Sequence, residues 1–323
     1  MAERFSIVIV HRNGAEILLH TLDALGKAVD PARDRVFLVD NGSTDDSLSR
    51  VRLSHPHVTV IENGCNLGYA AAINRAISET QSEFVLLLNN DAFVPPHLLT
   101  RMETLFRERP QAAIIGPQLV SPEGATQRSF GTEPTVRGEL GIRLLQQRRP
   151  KAPSEPVAAV DWISGACMAV RRKAFEQAGT IDSGFFFYFE DVEWCVRLRR
   201  AGWQALFDRE TEVVHIMGSS TKRVRREAQV EMLRSRLRFY RKVFSPGAAA
   251  LLLTVRWLRL LLNTASYLLL TALTLGMAGK VRGKFLDYGY QLVWWMSGCP
   301  ESWGLPGKRA SDGGQSIPSN VQS

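Results

Sequence analysis

Acidic, amide and imidazole side chains gather at the ends of short apolar runs in this chain of 323 residues. His11, Arg12 and Asn13 follow Ser6–Val10, Asp40 and Asn41 follow Val36–Val39, and Asn89, Asn90 and Asp91 follow Phe84–Leu88. Far downstream stand Glu190, Asp191 and Glu193, and His215 closes another apolar run. An enzyme that displaces a diphosphate needs a cation or metal on the leaving group and a base on the attacking hydroxyl. Asp91 carries a carboxylate suited to Mg²⁺ or Mn²⁺. Glu190, Asp191 and Glu193 are candidates for the base. Asn, Asp and Gly also make turns, so each cluster taken singly reads equally as loop chemistry. No G-x-G-x-x-G follows the first run and no G-x-x-x-x-G-K-[ST] occurs, which removes the main signatures of dinucleotide oxidoreductases and P-loop ATPases.

These groups need a frame. One pattern recurs over the first 120 residues: a short β-branched run, a turn, then an amphipathic stretch. The runs Ser6–Val10, Val36–Val39, Val58–Ile61 and Phe84–Leu88 read as strands, and Glu16–Lys27, Asp45–Leu53 and Tyr69–Glu79 as helices. Apolar strands alternating with helices predict an α/β fold with a mostly parallel central sheet flanked by helices. Ser43, Thr44 and Asp45 offer helix caps, and Pro95-Pro96 opens a helix towards Arg109. Ligands of open α/β sheets bind at the carboxyl ends of the strands, where the polar clusters fall. Residues 133–156, rich in Arg, Gln and Pro, read as a mobile connection or lid, and structure resumes at Val157–Trp162.

Hydrophobic residues make up 45% and charged residues 22%, which excludes a wholly disordered or fibrous chain. The net charge of +8 is unevenly spread: residues 1–221 hold 24 basic and 27 acidic side chains, residues 222–287 hold 14 and 3. A mildly acidic domain (1–221, with a nucleotide-binding half 1–120 and an acceptor half 157–221) joins a basic helical segment, 222–299. Within that segment a basic helix over 222–242 is followed by Ala248–Val255, a break at Arg256 and Arg259, and Leu260–Gly279. The last stretch is 20 residues without charge, long enough to cross a bilayer. Lys280, Arg282 and Lys284 follow, so both flanks are basic and no single crossing direction is selected. A membrane hairpin or an interfacial helix fits as well, and a buried core helix is the alternative. The uncharged run argues against nucleic acid as the partner. The tail from about residue 300 to 323 is rich in Gly, Ser and Pro and reads as disordered. Cys65, Cys167, Cys195 and Cys299 form no C-x-x-C pair, which points to a reducing compartment. The five apolar residues among Phe5–Val10 are too short for a signal-peptide core, so a cytoplasmic location is expected.

Seven segments in order resemble family 2 glycosyltransferases of the GT-A fold, and most of all the bacterial rhamnosyltransferase branch. They are SIVIVHRN at Ser6–Asn13, VDNGSTDDS at Val39–Ser47, NLGYAAAINRAI at Asn66–Ile77, LLLNNDAFVPP at Leu86–Pro96, ISGACMAVRRKAF at Ile163–Phe175, GFFFYFEDVEWCVRLRRAGW at Gly184–Trp203 and VVHIMGSS at Val213–Ser220.

The resemblance implies roles for the residues that match. Asp40 falls where the family's acid contacts the nucleobase, and it is equally placed to close the turn before Ser43. Asn66, Gly68 and Asn74 match the donor-side N-x-G…N motif, with Gly68 letting backbone approach the sugar nucleotide. His11, Asn13, Asn89 and Asn90 complete the donor side. Asn89-Asn90-Asp91 occupies the place of the metal-binding D-x-D with one carboxylate only, and His215 falls where relatives place a further metal or diphosphate contact. Asp191 is the implied general base, with Glu190 beside it. Glu193 and Arg197, four apart, read most simply as an ion pair. The implied reaction is a single displacement with inversion, using Mg²⁺ or Mn²⁺, a dTDP- or UDP-linked donor and a lipid-linked or glycan acceptor. Rhamnose from dTDP-rhamnose is the expected donor, with a UDP-hexose or UDP-galactofuranose as the alternative. A sugar-1-phosphate nucleotidyltransferase fits less well, because His11-Arg12-Asn13-Gly14 lacks its glycine-rich loop. The expected location is the cytoplasmic face of a bacterial plasma membrane, with the basic segment against anionic lipid.

Overall fold

The computed structural model describes residues 3–141, 153–216 and 224–307. The repeating pattern folds as expected into β1 (Phe5–His11), α1 (Ala15–Gly26), β2 (Asp34–Asp40), α2 (Ser47–Ser54), β3 (Thr59–Glu62), α3 (Tyr69–Ser78) and β4 (Phe84–Asn89). Next come β5 (Ala92–Phe93), α4 (Leu98–Glu108), β6 (Ala112–Val120), β7 (Phe130–Gly131) and α5 (Val136–Glu139). β8 (Val157–Val160), β9 (Trp162–Ile163), β10 (Cys167–Arg171), α6 (Arg172–Ala178), α7 (Glu190–Arg200) and β11 (Gln204–His215) complete this part.

Successive strand residues face opposite sides of a sheet. Ile7, Ile9, Leu86 and Leu88 therefore pack with Leu18 and Leu22 of α1 and Met102 and Phe106 of α4. Val8, Val85 and Leu87 pack on the other side with Ile73 and Ile77 of α3, Phe175 of α6 and Trp194 of α7. Covering both faces is what makes β1 and β4 nearly unbroken apolar runs. The order β3-β2-β1-β4 is parallel throughout. β10 reverses that direction, pairing antiparallel with β4 and β6, so the sheet as a whole is mixed. β11 lies parallel to β6, and its outer edge takes β8 and then β5, both antiparallel.

Three helices follow: α8 (Arg225–Val243), α9 (Pro246–Leu273) and α10 (Gly279–Met296). Val230, Leu233 and Leu237 of α8, Leu260 of α9 and Trp294 of α10 share one small core. The break expected at Arg256 and Arg259 does not occur, and α9 is continuous. Arg259 donates to the carbonyls of Glu139 and Leu140, so its charge is accommodated sideways without interrupting the helix. Nor does α8 stand apart. Lys242 pairs with Asp182 at 2.6 Å and Glu193 at 3.0 Å, and Arg236 meets Glu139 at 3.5 Å. Part of the basic charge expected to face lipid is thus neutralised by the acidic domain.

Two further expectations change. Within 133–156, Thr135 caps the short α5 by accepting from the Gly138 N–H at 3.1 Å, while residues 142–152 lie outside the described residues. The tail is ordered as far as it is described. Glu301–Trp303 forms a 3₁₀ turn with Trp303 stacked on Tyr290 at 5.0 Å, which gives the polar tail an aromatic anchor. Residues 308–323, and 217–220 of the last motif, lie outside the described residues.

Candidate active site

The carboxyl ends of β1 and β2 open into two loops that brace one another. The Asn13 side chain accepts from the Thr44 N–H at 2.7 Å, and the Gly14 N–H donates to Asp45 at 2.6 Å. The Asp40 carboxylate accepts from the Gly42 and Ser43 N–H groups, each at 3.1 Å. It closes the turn, the second role its position suggested. The buried His11 takes the Asn90 amide on Nδ1 at 2.9 Å, which leaves the proton on Nε2. Among the described residues that Nε2 has no partner. Burial pushes His11 below the usual histidine range, so the ring is neutral.

Asn66, Gly68 and Asn74 hold protein to protein. Asn66 accepts from the Gly68 N–H and donates to the Pro306 carbonyl at 2.7 Å, while Asn74 donates to the Ile181 carbonyl at 2.7 Å. Gly68 has φ 85°, and a Cβ there would lie 2.6 Å from the Phe186 carbonyl oxygen. The close approach that requires glycine is made by residue 186.

β5 sets the next group. Its pairing with β11 puts His215 opposite Ala92, hence beside Asp91, with His215 Nε2 3.3 Å from Asp91 Oδ1. Gln127 grips the same histidine, donating from Nε2 to its carbonyl at 2.8 Å and meeting ring Nδ1 with Oε1 at 3.1 Å. Because the first bond fixes which end of the amide is oxygen, Nδ1 carries the proton. The Nε2 lone pair, which also takes the Asn89 amide at 3.4 Å, and a carboxylate oxygen then lie side by side. A divalent cation satisfies both, and imidazole with carboxylate suits Mn²⁺ or Mg²⁺. Among the described residues no group of three or more His, Cys, Asp or Glu is arranged to hold a metal.

The acids of α7 lie opposite. Tyr188 and Phe189 precede the helix with φ 71° and 65°, a left-handed conformation that aromatic residues rarely adopt. It turns Glu190 and Asp191 inward. Asp191 accepts from the Gly165 N–H at 3.0 Å and from its neighbour Val192 N–H at 2.8 Å. Burial raises both carboxyls above their ordinary values, Glu190 well above, and Asp191's charge adds to the rise at Glu190. The Gly165 and Val192 amides and Arg128 oppose the rise at Asp191, whereas Glu190 Oε2 is buried with no partner among the described residues. Asp191 is the member that ionises first and Glu190 the one that keeps its proton. Glu193 turns away, paired with Arg197 at 3.0 Å as its spacing implied.

Sequence patterns missed the residue between the two groups. The buried Tyr69 hydroxyl lies 3.2 Å from Asn89 Oδ1 and 3.0 Å from the Gly165 carbonyl, joining the end of β4 to the loop under Asp191. Its place in NLGYAAA was the available signal, but tyrosine at a helix start reads as core. Gln127 and Arg128 sit in a stretch without periodicity, and nothing local marks them.

The sequence profile described as Glycosyl transferase family 2 matches residues 6–179. The chain belongs to this family. The transferase is 31% identical over 212 residues to the N-acetylglucosaminyl-diphospho-decaprenol L-rhamnosyltransferase of Mycobacterium tuberculosis, covering 58% of this chain and 68% of the relative. It is 29% identical over 208 residues to the low-salt glycan biosynthesis hexosyltransferase Agl10 of Haloferax volcanii, covering 62% and 63%. Among solved structures it resembles the mannosyltransferase PcManGT of Pyrobaculum calidifontis, in complex with GDP-Man and Mn²⁺, at a TM-score of 0.55 and 16% identity, covering 91% of this chain and 88% of that one. That likeness is one of fold. The family profile ends before α7, so Glu190, Asp191 and His215 stand on the geometry above.

Proposed function

We propose that this transferase moves rhamnose from dTDP-rhamnose to a hydroxyl of a lipid-linked acceptor in bacterial cell-envelope glycan synthesis. The observation that carries the reading is the pairing, across the Tyr69 hydroxyl, of Asp91–His215 with Glu190–Asp191. The donor's base and ribose lie along the braced loops at His11, Asn13 and Asp40, with Asn66, Gly68, Asn74, Asn89 and Asn90 shaping the donor side. Asp91 and His215 would hold Mg²⁺ or Mn²⁺, which when bound supplies positive charge for the departing diphosphate. Asp191, held by Gly165 and Val192, takes the proton from the acceptor hydroxyl as it attacks the anomeric carbon from the opposite face. Glu190, protonated, spares the site a second negative charge. The rhamnosyltransferase relative supports the choice of sugar and of a lipid-linked acceptor.

The same reading sets the protein at the cytoplasmic face of the plasma membrane. α9 has the length and composition to cross a bilayer. Its first half is docked through Leu252 and Arg259, and from Leu260 onward only 14 residues remain. At 1.5 Å per residue these reach about 21 Å, short of the roughly 30 Å hydrocarbon core. Leu262, Leu269, Leu273 and Met277 are exposed, with Lys280, Arg282 and Lys284 beside them. That pattern suits a hairpin seated in one leaflet with its cations at anionic head groups.

The test is thermal stabilisation by a panel of dTDP- and UDP-sugars, with and without Mn²⁺ or Mg²⁺. Stabilisation by dTDP-rhamnose above the rest is expected; a preference for UDP-hexose or UDP-galactofuranose reassigns the donor, and no stabilisation by any sugar nucleotide overturns the reading.

A further inference from the structure

A cleft of about 440 Å³ lies between the three C-terminal helices and the strained turn before α7, lined by Tyr188, Arg225, Met232, Leu233, Arg256 and Gln291. Its cations are not equivalent. Arg225 pairs with Asp287 at 2.6 Å. Arg256 makes no hydrogen bond or ion pair among the described residues, although it is half-buried. The groups that act on it include Arg236, Arg259, the Tyr240 hydroxyl and the carboxylate of Glu139, and Arg225 shares the cleft. Glu139 is already engaged by Arg236 and the Tyr240 hydroxyl, and Arg259 is spent on backbone carbonyls. Burial and the charge of Arg236 both push the Arg256 guanidinium down from the usual arginine value. A half-buried cation beside other cations calls for an anion, and among the described residues the one carboxylate acting on it, Glu139, is already shared with Arg236 and Tyr240.

The surroundings say which anion. Met232 and Leu233 make one side of the cleft apolar, and further along α9 the exposed leucines face outward. At the other end Tyr188 packs against Phe187 at 4.5 Å, and Phe187 against Tyr69 at 6.0 Å, the tyrosine whose hydroxyl lies beside the Gly165 loop under Asp191. Along the chain, Tyr188 stands three residues before Asp191.

We propose that this cleft binds the diphosphate of a prenyl-linked sugar acceptor, with Arg256 as its cation, Arg225 and Gln291 as flanking donors, and Tyr188 between the diphosphate and the base. The proposal rests on the transferase reading and adds the site at which the acceptor's charge is held. Arg256 matches a planar, bidentate phosphate contact, and the apolar wall takes the first prenyl units.

The experiment measures binding of farnesyl diphosphate and farnesol to the full chain, alongside binding of dTDP and UDP. Farnesyl diphosphate is expected to bind at least about tenfold more tightly than farnesol, with Arg256→Gln removing that margin and Arg256→Lys restoring part of it. Nucleotide affinity and Tm should stay unchanged in Arg256→Gln. Equal binding of the two prenyl probes, or an unchanged diphosphate affinity in Arg256→Gln, overturns the proposal. So does a parallel loss of nucleotide binding, which would assign the cation to the donor. Vesicles of phosphatidylcholine with and without phosphatidylglycerol separate the remaining source: if Arg256→Gln loses phosphatidylglycerol vesicles by the same factor as farnesyl diphosphate, the cation serves bulk head groups and the proposal falls. Failure of the transferase reading shows separately, as absence of sugar-nucleotide binding in a chain that still takes farnesyl diphosphate.

Discussion

Gln127 holds His215 by both ends of one amide, at 2.8 Å to its carbonyl and 3.1 Å to ring Nδ1. Residues 88 positions apart are thereby locked so that the unprotonated Nε2 points at Asp91, 3.3 Å from its Oδ1, with the Asn89 amide also donating to it at 3.4 Å. A partner of this kind is worth about 10- to 100-fold in metal affinity. Gln127→Leu should therefore weaken Mn²⁺ binding by that factor, read by titration of the protein with Mn²⁺ in the presence of dTDP. Gln127→Glu should retain more affinity, since a carboxylate oxygen still accepts from Nδ1. Equal Mn²⁺ affinity in Gln127→Leu and the parent would contradict the tautomer assignment.

Asp191→Asn removes the base but keeps an acceptor for the Gly165 N–H. General base catalysis contributes on the order of 10²- to 10⁴-fold. A fall of kcat in that range is expected, with the donor dissociation constant unchanged. Glu190→Gln should fall far less, because its carboxyl already holds a proton. If the two variants lose activity equally, the division of roles between them is wrong.

The fold was largely legible because it depends on periodicities that a single chain displays. Ile7/Val8/Ile9 and Leu86/Leu87/Leu88 show strands buried on both faces, and Glu190-Asp191 and Asp91 announce themselves as acids beside apolar runs. What stayed hidden depends on pairings between distant segments. The antiparallel β10 carries the same apolar pattern as a parallel strand. The role of Gln127 follows from its turn back onto Leu119 of β6, which carries it to His215, and the β5–β11 register brings His215 to Asp91. Arg256 and Arg259 read as a helix break because the carbonyls that receive Arg259 lie 119 and 120 residues away.

Tyr69 offers a test of the link between the two halves of the site. Tyr69→Phe keeps the ring against Phe187 and removes only the hydroxyl between Asn89 and Gly165. Net loss for one such hydrogen bond is about 1 kcal/mol. A fall in kcat of about fivefold is expected, with Tm lowered by no more than about 2–4 °C. A loss of Tm without loss of kcat would make Tyr69 a packing residue only.

Gly68→Ala should act through the fold before it touches chemistry. The added Cβ would lie 2.6 Å from the Phe186 carbonyl oxygen, on a residue with φ 85°. Overpacking of this kind with a strained φ costs about 2–4 kcal/mol. The expected result is a lowered Tm together with lowered kcat, since Phe186 leads into the turn that sets Glu190 and Asp191. A Gly68→Ala protein with parental Tm and impaired donor binding would instead return Gly68 to the nucleotide.

The buried acid pair gives stability a pH dependence of definite sign. Burial raises both carboxyls in the folded protein, so between the ordinary carboxylate value, about 4, and the raised value the native state holds a proton that the unfolded chain has released. Unfolding then releases protons, and stability falls as pH rises through that window. Below it the pair is protonated in both states and contributes no pH dependence. Glu190→Gln cannot ionise, and it leaves Asp191 without a like charge beside it. The difference in Tm between Glu190→Gln and the parent should therefore be small near pH 4 and grow in favour of the variant as pH rises. Melting curves across that range check the sign, and a difference that shrinks with rising pH would show that Glu190 is stabilised in its charged form.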